Sequence, residues 1–172
     1  MPELELPEAK DPFEKKIALA IAILAVILSV VENRGAGAKT EAIVKTNLAS
    51  NQWAWYQSKA LKGNLAESNV ALLGVLSSTD ANAAKAKAEE QKKEAERYKE
   101  EKKELQEKAE DLDKEAKHLL VVNEHCERST LLLQIAVVLG SIAILVSWRP
   151  IFYASLLIGA VGTYFGVMAF LT

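Results

Sequence analysis

Residues 130–148 read TLLLQIAVVLGSIAILVSW, and residues 151–171 read IFYASLLIGAVGTYFGVMAFL. Neither stretch contains Asp, Glu, Lys, Arg or His. A helix crosses a hydrocarbon core of about 30 Å with roughly 20 residues, so each stretch is long enough to span a bilayer. Only Arg149 and Pro150 separate them, which predicts a tight transmembrane hairpin with spans at 129–148 and 151–171. A third apolar run, residues 17–31, lies near the N-terminus. Lys15 and Lys16 before it resemble the start of a secretory signal. The acidic segment ahead of them, the length of the run and the lack of a clean small-x-small site before Glu32 favour a retained membrane helix over 13–31.

The averages hide this layout. A mean hydropathy near zero and 26% charged residues look like an ordinary soluble domain. In fact the apolar residues sit at both ends and the charges lie between them. With 23 acidic and 21 basic side chains the net charge is −2. No strong positive field is available to hold nucleic acid, which is excluded as a partner. The lone Cys126 excludes an intramolecular disulfide and a cysteine-based zinc site.

Pro2, Pro7 and Pro12 make residues 1–12 a non-helical acidic tail. After the first span, Asn33-Arg34-Gly35-Ala36-Gly37 predicts a glycine-rich joint over 32–39, because glycine weakens a helix interior. Residues 40–78 then read as a helix. Val44, Leu48 and Trp55 share one face, as do Leu61, Leu65, Leu72 and Leu76. Residues 77–82 read as a turn, with Asp80 as a helix cap. Residues 81–128 are rich in Ala, Glu and Lys and carry a seven-residue repeat. Tyr98, Leu105, Leu112, Leu119 and Cys126 form its d line; Ala95, Lys102, Ala109, Ala116 and Asn123 form its a line. Helices of about 58 and about 72 Å, joined by a short turn, should fold back on each other. The expected fold is an all-α integral membrane protein with three transmembrane helices. A long antiparallel helical hairpin, a coiled-coil stalk over 40–128, stands between the first and second.

Candidate chemistry is sparse. The spans lack the charges that mark ion pathways and pumps, and Gln134 reads as a hydrogen-bonding group at a helix interface. His118, His125 and Cys126 supply at most two ligands from one helix face, too few for a metal. No phosphate-loop, zinc-protease or nucleophile-elbow pattern is present, so the expectation is no enzyme and no cofactor. Small residues mark helix contacts instead. Ser155, Gly159 and Thr163 form one ridge and Gly162 and Gly166 another, with Ala136–Gly140 and Ala18–Ala22 as weaker examples. Two ridges on one helix fit packing inside the subunit on one side and self-association on the other.

The most distinctive run is Asn51-Gln52-Trp53-Ala54-Trp55-Tyr56-Gln57-Ser58-Lys59. Trp53 and Tyr56 fall on one helical face, Trp55 and Lys59 on another. Three placements suit such aromatics: the interior of the hairpin, a contact with another subunit or protein, or the headgroup layer. Gln52, Trp53, Tyr56, Gln57 and Lys59 match a Q-W-x-x-Y-Q-x-K signature. With it, the chain from about residue 12 to 172 resembles a bacterial family of small membrane proteins known as a domain of unknown function. The resemblance implies a bacterial origin and the same layout of one N-terminal span, a charged helical middle and two C-terminal spans. It brings no activity. A histidine-richer tail expected of the family is missing here.

Lys10, Lys15, Lys16 and Arg149 share one side of the bilayer, and Arg34, Lys39, Lys117 and Arg128 the other. Because long loops count little in the basic-residue rule, the N-terminus is expected in the cytoplasm and the stalk outside it, in the periplasm of a bacterial inner membrane. The leading functional expectation is a non-enzymatic scaffold that forms a homo-oligomer in the lipid bilayer and organises a membrane assembly. Its contacts would be Gln52, Trp53, Trp55, Tyr56, Gln57 and Lys59, the seam residues Leu105, Leu112 and Leu119, and Gly159, Gly162 and Gly166. The alternative is an accessory subunit that binds a membrane enzyme or transporter through the Trp53–Tyr56 surface. An oligomeric pore is a third reading.

Overall fold

Three helices account for nearly all of the described residues. The structure, a computed structural model, describes residues 12–76 and 81–171. Helix α1 spans Pro12–Leu76, α2 spans Ala81–Val146 and α3 spans Arg149–Leu171. No strand occurs among the described residues. The tail before Pro12, residues 77–80 of the expected turn and the Asp80 cap lie outside the described residues, while Ala81 and Asn82, expected in that turn, begin α2. Each helix contains a stretch long and apolar enough to cross a membrane.

One expectation needs correction. The glycine-rich segment 32–39 is not a joint, because α1 runs through it as a continuous helix of 65 residues. Gly35 is buried there, and a Cβ at that position would lie 2.7 Å from the Cβ of Cys126. Glycine serves close helix approach here, which outweighs its weak helix propensity. A second boundary also shifts. The break between α2 and α3 falls at Ser147 and Trp148, and Arg149 and Pro150 form the first turn of α3, where proline's missing N–H costs nothing. Ser147 takes a positive φ of 51° and its N–H donates to the Ile144 carbonyl at 3.3 Å, closing α2.

The chain divides into two units, Met1–Glu41 with His118–Thr172, and Ala42–Lys117. In the first unit three apolar helical segments surround a core that includes Leu24, Val31, Ala38, Cys126, Leu133 and Ala136. Its inner surface is rich in Gly, Ala and Ser, while Leu19, Ile23, Val26, Leu131, Val138, Leu157 and Val167 face outward. A water-soluble bundle would keep most such large aliphatic side chains in its centre.

In the second unit α1 and α2 meet through polar pairs. Lys45 pairs with Glu115, the Trp53 indole N–H donates to Asp113, Lys59 pairs with Glu101, and Asn69 donates to Gln91. The partner number falls as the α1 number rises. Between these pairs Ala49, Ala66 and Ala109 are buried, as is Ala116 next to Glu115. The ten residues of the expected α2 heptad lines are all buried or half-buried, Leu105, Leu112 and Leu119 among them.

Candidate functional site

The tryptophan segment lies wholly within α1, and its helical geometry sorts the side chains. Trp53, Tyr56 and Lys59, at three-residue spacing, turn toward α2. The Trp53 Nε1–H donates to the Asp113 carboxylate at 3.0 Å. The Trp53 and Tyr56 rings meet edge to face, with centroids 5.5 Å apart and planes at 78°, a favoured aromatic geometry. The Lys102 ammonium lies 5.6 Å from the Tyr56 ring centre, and that of Lys59 lies 5.2 Å from the Tyr98 ring centre.

Glu101 ties this cluster together. Lys59 binds one of its oxygens and Arg97 approaches the other at 3.5 Å. The hydrogen bond from Lys59 holds the Glu101 carboxyl below the ordinary carboxylate range, helped by the charges of Lys59, Arg97 and Lys62. In the first unit Glu127 is lowered likewise, first by the amide of Asn123 and then by the charge of Lys39; Asn123 donates to it at 2.9 Å.

Of the signature residues, Trp53, Tyr56 and Lys59 therefore serve contact between α1 and α2, and Gln52 is half-buried beside them. Lys59 joins the face of Trp53 rather than that of Trp55, which corrects the sequence reading. Gln57 is exposed, and Trp55 turns outward with 65% of its surface accessible. Sequence reasoning missed Asp113, the acceptor for Trp53, sixty residues away. Its only signal was its place beside the seam residue Leu112 on the heptad map.

The glycine ridges of α3 form one inward face. Ser155, Gly159, Gly162, Gly166 and Ala169 are all buried. A Cβ on Gly159 would lie 2.9 Å from Leu24 Cδ2, and one on Gly166 would lie 2.8 Å from Val31 Cγ2, both on α1. A Cβ on Gly162 would lie 3.1 Å from the backbone nitrogen of Leu133 on α2. Two hydroxyls lock the same face. Ser129 donates to the Gly162 carbonyl at 2.7 Å, and Ser155 donates to the Ala136 carbonyl at 2.7 Å. Gly159, Gly162 and Gly166 are thus packed inside their own subunit. The expectation that they contact another copy is corrected, because one helix face wide enough for two neighbours uses both ridges.

Among the described residues no three His, Cys, Asp or Glu side chains are grouped to hold a metal ion. The arrangement offers surfaces for contact: a charged flank on α2, and an apolar outward flank on α1 around Trp55.

Residues 13–172 match the family described as Domain of unknown function (DUF4337). The chain belongs to this family. No curated protein and no solved structure matches it. The match covers all three helices of this DUF4337 member, in agreement with the expected resemblance to a family of unknown function.

Proposed function

We propose that this chain is a non-enzymatic scaffold of a bacterial inner membrane that self-associates and organises a membrane assembly. The first unit spans the bilayer with segments near 13–31, 130–146 and 151–171. Its outward Leu, Ile and Val side chains meet lipid, and its Gly, Ala and Ser residues allow the helices to touch. The second unit is an antiparallel α1–α2 hairpin outside the bilayer. The N-terminus and the Arg149 turn face the cytoplasm and the hairpin faces the periplasm, in keeping with Lys15, Lys16 and Arg149 on one side.

One observation carries the scaffold reading. The extramembrane part of α1 exposes Val44, Leu48, Trp55, Leu61, Leu65 and Leu72 to water, although α2 already covers its other face. An exposed apolar strip of this length marks a protein contact. The accessory-subunit reading draws on the same strip through Trp55; it is disfavoured at Trp53 and Tyr56, which face α2.

Sizing the purified full chain in mild detergent tests the proposal. A scaffold elutes as a homo-oligomer of the 18.8 kDa subunit without other proteins. A stable monomer that gains mass only with a second protein would transfer support to the accessory subunit. Orientation is tested in a Cys126→Ala background. Lys103→Cys, exposed on α2, should react with a membrane-impermeant maleimide from the periplasmic side, and Arg149→Cys should not.

A further inference from the structure

We propose that the outward face of α1 from Val44 to Leu72 is a second coiled-coil seam that packs against the same seam of another copy, in parallel and in register. The proposal rests on the self-association reading above and names its contact surface. Val44, Leu48, Trp55, Leu65 and Leu72 fall on alternating steps of four and three residues, or their multiples. That is the spacing of an a/d seam. All five are exposed, between 44 and 65%. The inward seam of the same helix, which includes Ala49, Tyr56 and Ala66, is a separate line already facing α2. A helix with two seams is built for two helical neighbours, and the subunit's second unit supplies one.

The occupant follows from what this unit can offer. Between Asn82 and Lys117 the outer surface of α2 exposes no large hydrophobic side chain among the described residues. The α2 flank of another copy therefore cannot match an apolar strip. The matching surface in the second unit is the α1 strip itself, which makes a self-complementary contact around a two-fold axis. Leu61 and Val75, at 70 and 84% exposure, extend the strip along one side. At roughly 100 Å² of apolar surface per side chain, the seven residues present about 700 Å². A stable interface needs about 800 Å² per partner in all, so the strip supplies most of it and exceeds the patch a typical monomer leaves open.

Membrane insertion fixes the direction. Copies inserted the same way are related by rotation about the membrane normal, so one shared face brings identical residues opposite each other. Asn51 then meets Asn51 of the other copy, where paired amides hydrogen-bond and penalise any shifted register. Ser58, also exposed, forms a further polar layer. The Lys62 stem lies along the seam while its ammonium reaches water.

Cysteine crosslinking in native membranes tests this pairing, in full-length chains carrying Cys126→Ala. Asn51→Cys and Ser58→Cys lie on the seam; Ser50→Cys and Gln57→Cys lie on the opposite flank of α1. On mild oxidation the seam cysteines should give a covalent dimer several-fold more abundant than the flank cysteines give. Equal dimer from all four would mean random collision and would overturn the seam. No dimer from Asn51→Cys and Ser58→Cys, in a chain that still sizes as an oligomer, would overturn the seam and leave self-association standing. A chain that sizes as a monomer removes both. As a second readout, Trp55→Glu and Leu65→Glu sit on exposed positions and should preserve helix content while lowering the oligomer fraction at least several-fold; an unchanged fraction also overturns the seam.

Discussion

Gly35 on α1 and Cys126 on α2 approach so closely that a methyl group on Gly35 would come within 2.7 Å of the Cys126 Cβ. Real Cβ atoms do not sit that near each other, and neither atom is the flexible end of a long side chain. Gly37, two residues on, has nothing within 4 Å of the equivalent position. The pair of glycines thus separates a packing role from a conformational one.

Gly35→Ala should destabilise the first unit by about 1–3 kcal/mol through overpacking. Gly37→Ala should leave stability unchanged or raise it by about 0.5–1 kcal/mol, because alanine favours the helix. Thermal melts of both variants in mild detergent decide between close approach and a flexible joint. A joint would make both substitutions alike.

How much of this was legible in the sequence varies with the physics involved. The three stretches long and apolar enough to cross a membrane were legible because hydrocarbon thickness sets the length to look for and each run lacks charge. The α2 heptad was legible because Ala109, Leu112 and Ala116 repeat with the helix itself. The Gly35 segment was misread because local propensity favours a break there, while its contact with Cys126 lies ninety-one positions away and leaves no local trace. The two ridges of α3 were split between partners for a similar reason. Spacing shows that small residues share a face, but not whether one neighbour or two will fill it. Asp113 looked like any other carboxylate on a charged helix until the pairing of α1 and α2 placed it beside Trp53.

Gly162→Ile and Gly166→Ile should disrupt the subunit before they affect any oligomer. Gly162 sits against the Leu133 backbone, and Gly166 against Val31 and Ser129. Denaturant titration in detergent should show each variant losing stability at protein concentrations where copies do not meet. Retained stability with selective loss of the oligomer would return these glycines to a subunit interface. Ser155→Ala should cost less, about 0.6–1.7 kcal/mol, through loss of its hydrogen bond to the Ala136 carbonyl.

The α2 seam predicts a contrast between neighbouring positions. Leu105→Asp and Leu112→Asp place a charge at half-buried seam positions and should cost several kcal/mol, enough to lower the melting of the extramembrane helices. Glu104→Ala and Lys103→Ala, both exposed, should change it little. Circular dichroism melts with equal effects at both kinds of position would rule out the seam.

Acid should weaken the second unit through Glu101. Its carboxyl titrates below the ordinary range when folded, because Lys59 hydrogen-bonds to it and Arg97 and Lys62 lie nearby. A group with a depressed folded value contributes stability that is fully present above its unfolded value, near pH 4.5. That contribution is lost as pH falls through the lower folded value. Between neutrality and about pH 5 the melting temperature should therefore hold, and below pH 4.5 it should fall. Glu101→Gln should be less stable at pH 7 and show a shallower acid decline. An identical decline in wild type and variant would remove Glu101 as a contributor.

Counting copies of the full chain in its membrane tests self-association most directly. A single fluorophore on each chain, with membranes released into native lipid discs at low expression, gives the subunit number from photobleaching steps. Two or more steps per disc for most particles is the expected result, with Trp55→Glu shifted toward one. Single steps throughout for the wild-type chain would contradict a self-associating scaffold.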